Sequence, residues 1–186
     1  TTEIYTLSLH DALPICFGSG IEEVVKSLGG PAEFASTRGG GRSFEEYGIH
    51  QIEMLTMLMG IGAKRVMQCG AKDADVLIVE YSDGRRCTAN LVGCYPFQAE
   101  CKSKDGKRHA AEKMDDFFPR FIDAMLEFFE TGKAPVPAEQ TLEIAAILEA
   151  GVCEGAGRAA GRQRRDHGGA RGTEEDRHRE SVSGFL

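Results

Sequence analysis

From Gly20 to Gly30 the apolar residues Ile21, Val24, Val25 and Leu28 share one helical face, and a glycine pair stops the run. PAEFAST then predicts a brief strand, and TRGGGRS (Thr37–Ser43) a flexible loop. Ser43 is a good N-cap, with Glu46 at the third helical position. The next segment, FEEYGIHQIEMLTMLMG, places Ile52, Leu55 and Met59 on one stripe with Met54 and Leu58 flanking it. Gly60 and Gly62 end that helix.

The period then changes. AKRVMQCGA, DVLIVEY and RCTANLVGCYPFQAEC are rich in β-branched and aromatic residues and bounded by turns. Ser82-Asp83-Gly84-Arg85 is a hairpin signal, and Lys102–Lys107 forms a second, charged turn that leaves His109 solvated. DDFFPRFIDAMLEFFETGK and PAEQTLEIAAILEAG predict two closing helices, joined by the extended linker Ala134–Pro137, the second ending at Gly151. The aromatic stripe of the first is expected in the core, and Met54, Met57, Met59 and Met67 are expected to fill core gaps. Strands joined by hairpins predict an α+β fold: a largely antiparallel open sheet with helices packed on one face.

The ends differ in character from the middle. YTLSLHDALPI, residues 5–15, resembles one reading frame of a sequencing-library adapter, so residues 1–15 are set aside as adapter-like. A gene joined to an adapter is a truncated gene, so residues 16–152 are expected to be one domain of a longer protein. Residues 153–186 hold seven Arg and no Lys, with almost no apolar residue before Val182. That segment reads as a disordered tail or a frameshifted translation.

The formal charge of −7 argues against nucleic acid or an anionic membrane as partner. No apolar run approaches the roughly 18–20 residues needed to span a bilayer. Six cysteines without a CxxC pair or a signal segment predict reduced thiols in a cytoplasm. Cys87, Cys94 and Cys101 recur every seven residues, a spacing that on one strand points them to opposite faces, so no metal site is expected.

The candidate chemistry lies in FEEYGIHQIEML. Glu46 and His50 stand four apart, on one helical face, where a carboxylate can hold one imidazole nitrogen and leave the other to exchange a proton. Gly48 between them could admit another backbone or a ligand. The plain alternative is a surface Glu–His pair, and Glu53, also near His50, favours it. No strand–GxGxxG–helix unit or phosphate loop is present.

YGIHQIEMLTMLMG, DVLIVEYSDGR and FFETGKAPVPAEQTLEIAAILEAG, in this order, resemble the C-terminal half of Gfo/Idh/MocA oxidoreductases, from about Phe17 to Gly151. The resemblance implies a substrate-binding and oligomerisation domain whose parent carries a Rossmann domain for NAD or NADP, missing from this chain. The parent would move a hydride between a C–OH carbon of a sugar, polyol or derivative and the nicotinamide, and would assemble as a homo-oligomer through the sheet. The family's His falls on His50, as the acid/base, and its Asp four residues earlier is Glu46 here. Without the glycine-rich loop and a catalytic lysine, the chain alone is expected to be inactive and to bind no cofactor. The other reading is a non-catalytic ligand-binding or assembly domain.

Overall fold

The computed structural model describes residues 14–41, 43–71, 74–93 and 95–169. The adapter-like segment up to residue 13, Cys94 and the tail beyond residue 169 lie outside the described residues. A 3-10 turn (Pro14–Phe17) precedes α1 (Ser19–Leu28), β1 (Phe34–Gly39) and α2 (Phe44–Met59). A meander of β2 (Ala63–Ala71), β3 (Ala74–Tyr81) and β4 (Arg86–Val92) follows, then the hairpin of β5 (Gln98–Lys102) and β6 (Arg108–Ala111). α3 (Phe117–Thr131) and α4 (Ala138–Gly169) close the order.

The strands form one open sheet in the order β2-β3-β4-β1-β5-β6. Every pair is antiparallel except β1 with β4, so the expected α+β architecture is present with one parallel pair. That pair arises because β1 is laid down before the meander and is later flanked by β4 on one side and β5 on the other. β1 also runs through Thr37, Arg38 and Gly39, which the sequence placed in a loop. Ladders on both sides hold them extended: Thr37 lies opposite Ala89 of β4 and Ala99 of β5.

Alternate strand residues face the helices and are buried: Ala35 and Thr37, Leu77, Val79 and Tyr81, Cys87, Ala89 and Leu91, Ala99 and Cys101. Under α2, which crosses β1, β4 and β5, these residues are mostly small, so the helix lies close to the sheet. α4 packs on α2 and β2, and α1 lies beside β6. Gln51 through Thr56 of α2 are buried without a break, so the middle of this helix has no solvent stripe. Ile15, set aside with the adapter-like segment, is 2% exposed and belongs to the same core.

Three expectations about the helices need correction. The last helix does not stop at Gly151 but continues to Gly169. Gly151 is a point of close approach: a Cβ there would stand 2.9 Å from both Leu77 Cδ1 and the Phe44 ring. Gly48 serves the same ring, since a Cβ on it would lie 2.8 Å from Phe44 Cε2, so a side chain one turn earlier fills the space expected for a ligand. Phe44 is thus clasped between two helices through two glycines.

The aromatic stripe of α3 is not core either. No residue of α3 is buried, and Phe129 is 71% exposed. α1, α2 and α4 already cover the sheet, and α3 packs against the 3-10 turn, with Phe121 and Phe17 centroids 5.5 Å apart. Met54 and Met59 do fill the core, but Met67 on β2 is exposed.

Arg85, from the β3–β4 turn, ties the layers together. Its Nη1 donates to Met59 O at 2.9 Å and Ala32 O at 2.8 Å, its Nε donates to Asp83 Oδ2 at 2.6 Å, and its guanidinium lies 4.9 Å from the Tyr81 ring centroid. A cation thus meets a carbonyl at the C-terminal end of α2, where the helix dipole favours it. Arg85→Met keeps the stem and removes the donors, leaving two carbonyls of buried residues unpaired. It is expected to lower the unfolding free energy in urea by about 2–4 kcal/mol. A loss below roughly 0.5 kcal/mol, the range of an ordinary surface substitution, would show that the guanidinium does not hold the layers.

Candidate functional site

Ser43 starts α2 as expected: its backbone is extended and its Oγ accepts from the Glu46 N–H at 3.3 Å. Two turns of helix then carry His50 beneath the corner where β1 ends and the segment before β5 begins. The Gly40 N–H donates to Tyr95 O at 2.6 Å and joins these two backbones. Phe97 from that segment and Tyr47 from α2 present themselves to the His50 ring, with centroids 5.6 Å and 6.0 Å away at 83° and 65°. These edge-to-face contacts fix the plane of the imidazole.

The structure does not join the two sequence-predicted site residues. Glu46 is exposed in the first turn of α2, and the carboxylate paired with His50 is Glu53, whose Oε2 lies 3.5 Å from His50 Nδ1. The His50 side chain is 16% exposed and that of Glu53 fully buried. Glu53 Oε1 has no hydrogen-bond partner among the described residues, and neither has His50 Nε2. Such an arrangement can accept or donate a proton at one imidazole nitrogen while a carboxylate attends the other.

The reasoning that preferred Glu46 used spacing alone. A second signal was available: Glu53 falls inside the mostly apolar run from Ile52 to Met59, where a carboxylate has little freedom, whereas Glu46 sits on a helical end open to water. Tyr47 and Phe97 were missed because they meet the imidazole through their rings, and Phe97 is distant in sequence.

Beside this pair, Gln51 is fully buried with both amide atoms unpartnered among the described residues, its Nε2 pressed towards Gly39. Cys16 lies under α2, where burial and the nearby Glu53 charge push its thiol up to about 12, so it stays a thiol. Cys87 and Cys101 both face the helices, on the two strands flanking Ala35. Burial pushes them to about 12 and about 11. Among the described residues no group of three or more His, Cys, Asp or Glu could hold a metal ion.

His109, expected in a solvated turn, is a half-buried residue of β6 with Nδ1 2.9 Å from Ser27 Oγ and Nε2 3.3 Å from Ser103 Oγ. It borders open grooves of about 540 and 260 Å³.

Burial raises the Glu53 carboxyl above its ordinary 4.5, while the bond to His50 and the His50 charge pull the other way. A raised folded pKa means the folded state keeps a proton that the unfolded chain has released. Stability from this group is therefore fully present below the unfolded value and is lost as pH rises through the folded one. The unfolding free energy of the wild type, measured against Glu53→Gln, is expected to fall as pH rises from about 4 and to level off once folded Glu53 has ionised. A difference independent of pH would contradict a raised Glu53.

No protein-family model and no curated protein matches the sequence. Solved structures do match. A myo-inositol dehydrogenase from Corynebacterium glutamicum shares 12% identity at a TM-score of 0.59, covering 76% of this chain and 60% of its own. A scyllo-inositol dehydrogenase from Lactobacillus casei, with bound NAD(H) and scyllo-inositol, shares 10% at 0.58, covering 77% and 61%. A UDP-N-acetylglucosamine 3-dehydrogenase from Acidithiobacillus ferrooxidans shares 9% at 0.63, covering 77% and 60%. The chain thus spans about 60% of the length of these structures. At such identities the likeness is one of fold: this chain has the α+β fold that these inositol and sugar dehydrogenases contain, as its resemblance to Gfo/Idh/MocA oxidoreductases implied.

Proposed function

We propose that this chain is the substrate-binding and oligomerisation domain of an NAD(P)-dependent Gfo/Idh/MocA oxidoreductase acting on a C–OH group of a sugar, polyol or derivative. The observation that carries the reading is His50. Its ring is fixed by Tyr47 and Phe97, a carboxylate stands at Nδ1, and Nε2 has no hydrogen-bond partner among the described residues. Two of the fold's neighbours are inositol dehydrogenases and one holds NAD(H) with its polyol, which supports the substrate class and NAD in the parent. His50 Nε2 takes the hydroxyl proton as the substrate is oxidised and returns it in the reverse direction.

The described residues do not fit a dinucleotide. The glycine loop after β1 leads into α2, as a phosphate-binding loop would, but side chains of this chain back its glycines: Phe97 and Gln51 behind Gly39, Tyr47 behind Gly41. On that side of the backbone no space is left for a phosphate. This supports placing the cofactor in another part of the parent, with this chain supplying proton transfer and substrate shape.

A second reading, an assembly domain without catalysis, draws on the unburied stripe of α3 and on Phe34 and Met67, both exposed on strands of the sheet. His50→Ala separates the two readings in the parent enzyme. A fall in kcat of about 10²–10⁴-fold with native circular dichroism is expected of an acid/base. Unchanged turnover removes the catalytic reading and leaves assembly.

A further inference from the structure

We propose that Glu53 is the positioning residue of His50, accepting a hydrogen bond from Nδ1–H and so leaving Nε2 as the free basic nitrogen. The proposal rests on the reading of His50 as the proton-transfer group. Its ground is a juxtaposition: one helical turn places a fully buried carboxylate against an imidazole whose plane two aromatic rings already fix. Glu53 lies in the enclosed middle of α2, so neighbouring side chains limit its rotamers and Oε2 stays on the His50 side.

The Cys16 thiol also lies within electrostatic reach of Glu53, but the hydrogen bond of Glu53 Oε2 is the one to His50. His50 Nε2 and Glu53 Oε1 have no hydrogen-bond partner among the described residues, and Glu46 is exposed at the start of the helix. The separation of 3.5 Å is long for a hydrogen bond. Contacts of catalytic groups commonly shorten only when substrate is bound.

Stability does not account for this carboxylate. A buried acid with one unpartnered oxygen weakens a fold, and an apolar residue of similar volume would strengthen it. Groups retained at such cost cluster at functional sites, and a carboxylate at one nitrogen is what sets an imidazole's tautomer.

The test uses the chain itself, labelled with ¹⁵N, in long-range proton–nitrogen spectra at about pH 8, where a neutral imidazole reports its tautomer. The His50 signals are assigned by their loss in His50→Gln. The expected wild-type spectrum is the Nδ1–H tautomer. Glu53→Leu, which fills the volume without an acceptor, is expected to shift His50 to the Nε2–H form that free imidazole prefers. Glu53→Gln, whose amide oxygen still accepts, is expected to retain Nδ1–H. A wild type in the Nε2–H form, or no shift in Glu53→Leu, overturns the proposal.

In the parent enzyme, Glu53→Leu is expected to lower kcat, by no more than the factor of about 10²–10⁴ that the acid/base itself contributes, with KM changed less than kcat. Glu53→Gln is expected to recover part of that loss. If the tautomer follows Glu53 but His50→Ala leaves turnover intact, the pairing stands and the catalytic reading fails. If His50→Ala abolishes turnover while Glu53→Leu does not lower kcat, the positioning role alone fails.

Discussion

A helix enclosed on every side cannot turn its polar residues towards water, and α2 is such a helix. From Gln51 to Thr56 it lies between the sheet, α1 and α4, and three of those six side chains are polar. Thr56 is satisfied within the helix, its Oγ1 donating to Ile52 O at 2.8 Å, and the Gln51 carbonyl accepts from Thr37 Oγ1 at 3.2 Å. Among the described residues the Gln51 amide and Glu53 Oε1 have no partner. Each such group costs about 1–3 kcal/mol. The rest of the architecture serves this enclosure: small residues on β1, β4 and β5 bring the sheet close, Phe44 wedges α2 against α4, and Arg85 neutralises the carbonyl end. An apolar α2 would make a stronger core, so its polar middle is the part of the fold that packing does not explain.

The elements were readable in the sequence because most rest on local chemistry. Ser43 capped its helix, the Ser82–Arg85 turn closed its hairpin, and alternation marked β3 and β4. What escaped depended on residues far apart in the chain. Nothing within β1 shows that it pairs with β4, and nothing near Gly151 shows that Leu77 and Phe44 will occupy the space a Cβ would need. A glycine inside a helical pattern carries two meanings, a stop or a close approach, and only the packed neighbour decides between them. α3 misled for a similar reason: an apolar stripe states that a face seeks cover, not that this chain supplies it.

Of the candidate site, the sequence pointed to the histidine but not to the carboxylate nearest it. His50 stood out because an imidazole near neutral pH is chemically versatile wherever it is placed. Its carboxylate partner was harder, because Glu46 and Glu53 both lie within one turn of it and periodicity ranks them alike. Burial breaks the tie. A carboxylate on the wet end of a helix moves freely, whereas one inside the enclosed segment is held wherever its neighbours leave room. The residues that orient the ring, Tyr47 and Phe97, act through shape alone, and polar-motif reasoning is blind to them.

The strand order also governs how the chain can assemble. β1 is near the beginning of the domain, yet both of its partners come much later, with β4 roughly fifty residues downstream. The meander of β2, β3 and β4 can zip locally, and so can the β5–β6 hairpin, but each leaves a raw edge until β1 slots between them. The strand that joins the two halves of the finished sheet is therefore held only by pairings distant in sequence. Until these form, α2 has no floor to lie on, and its apolar run stays exposed. Closing this sheet thus depends on non-local pairing, which costs more loop entropy than the local ladders on either side of β1.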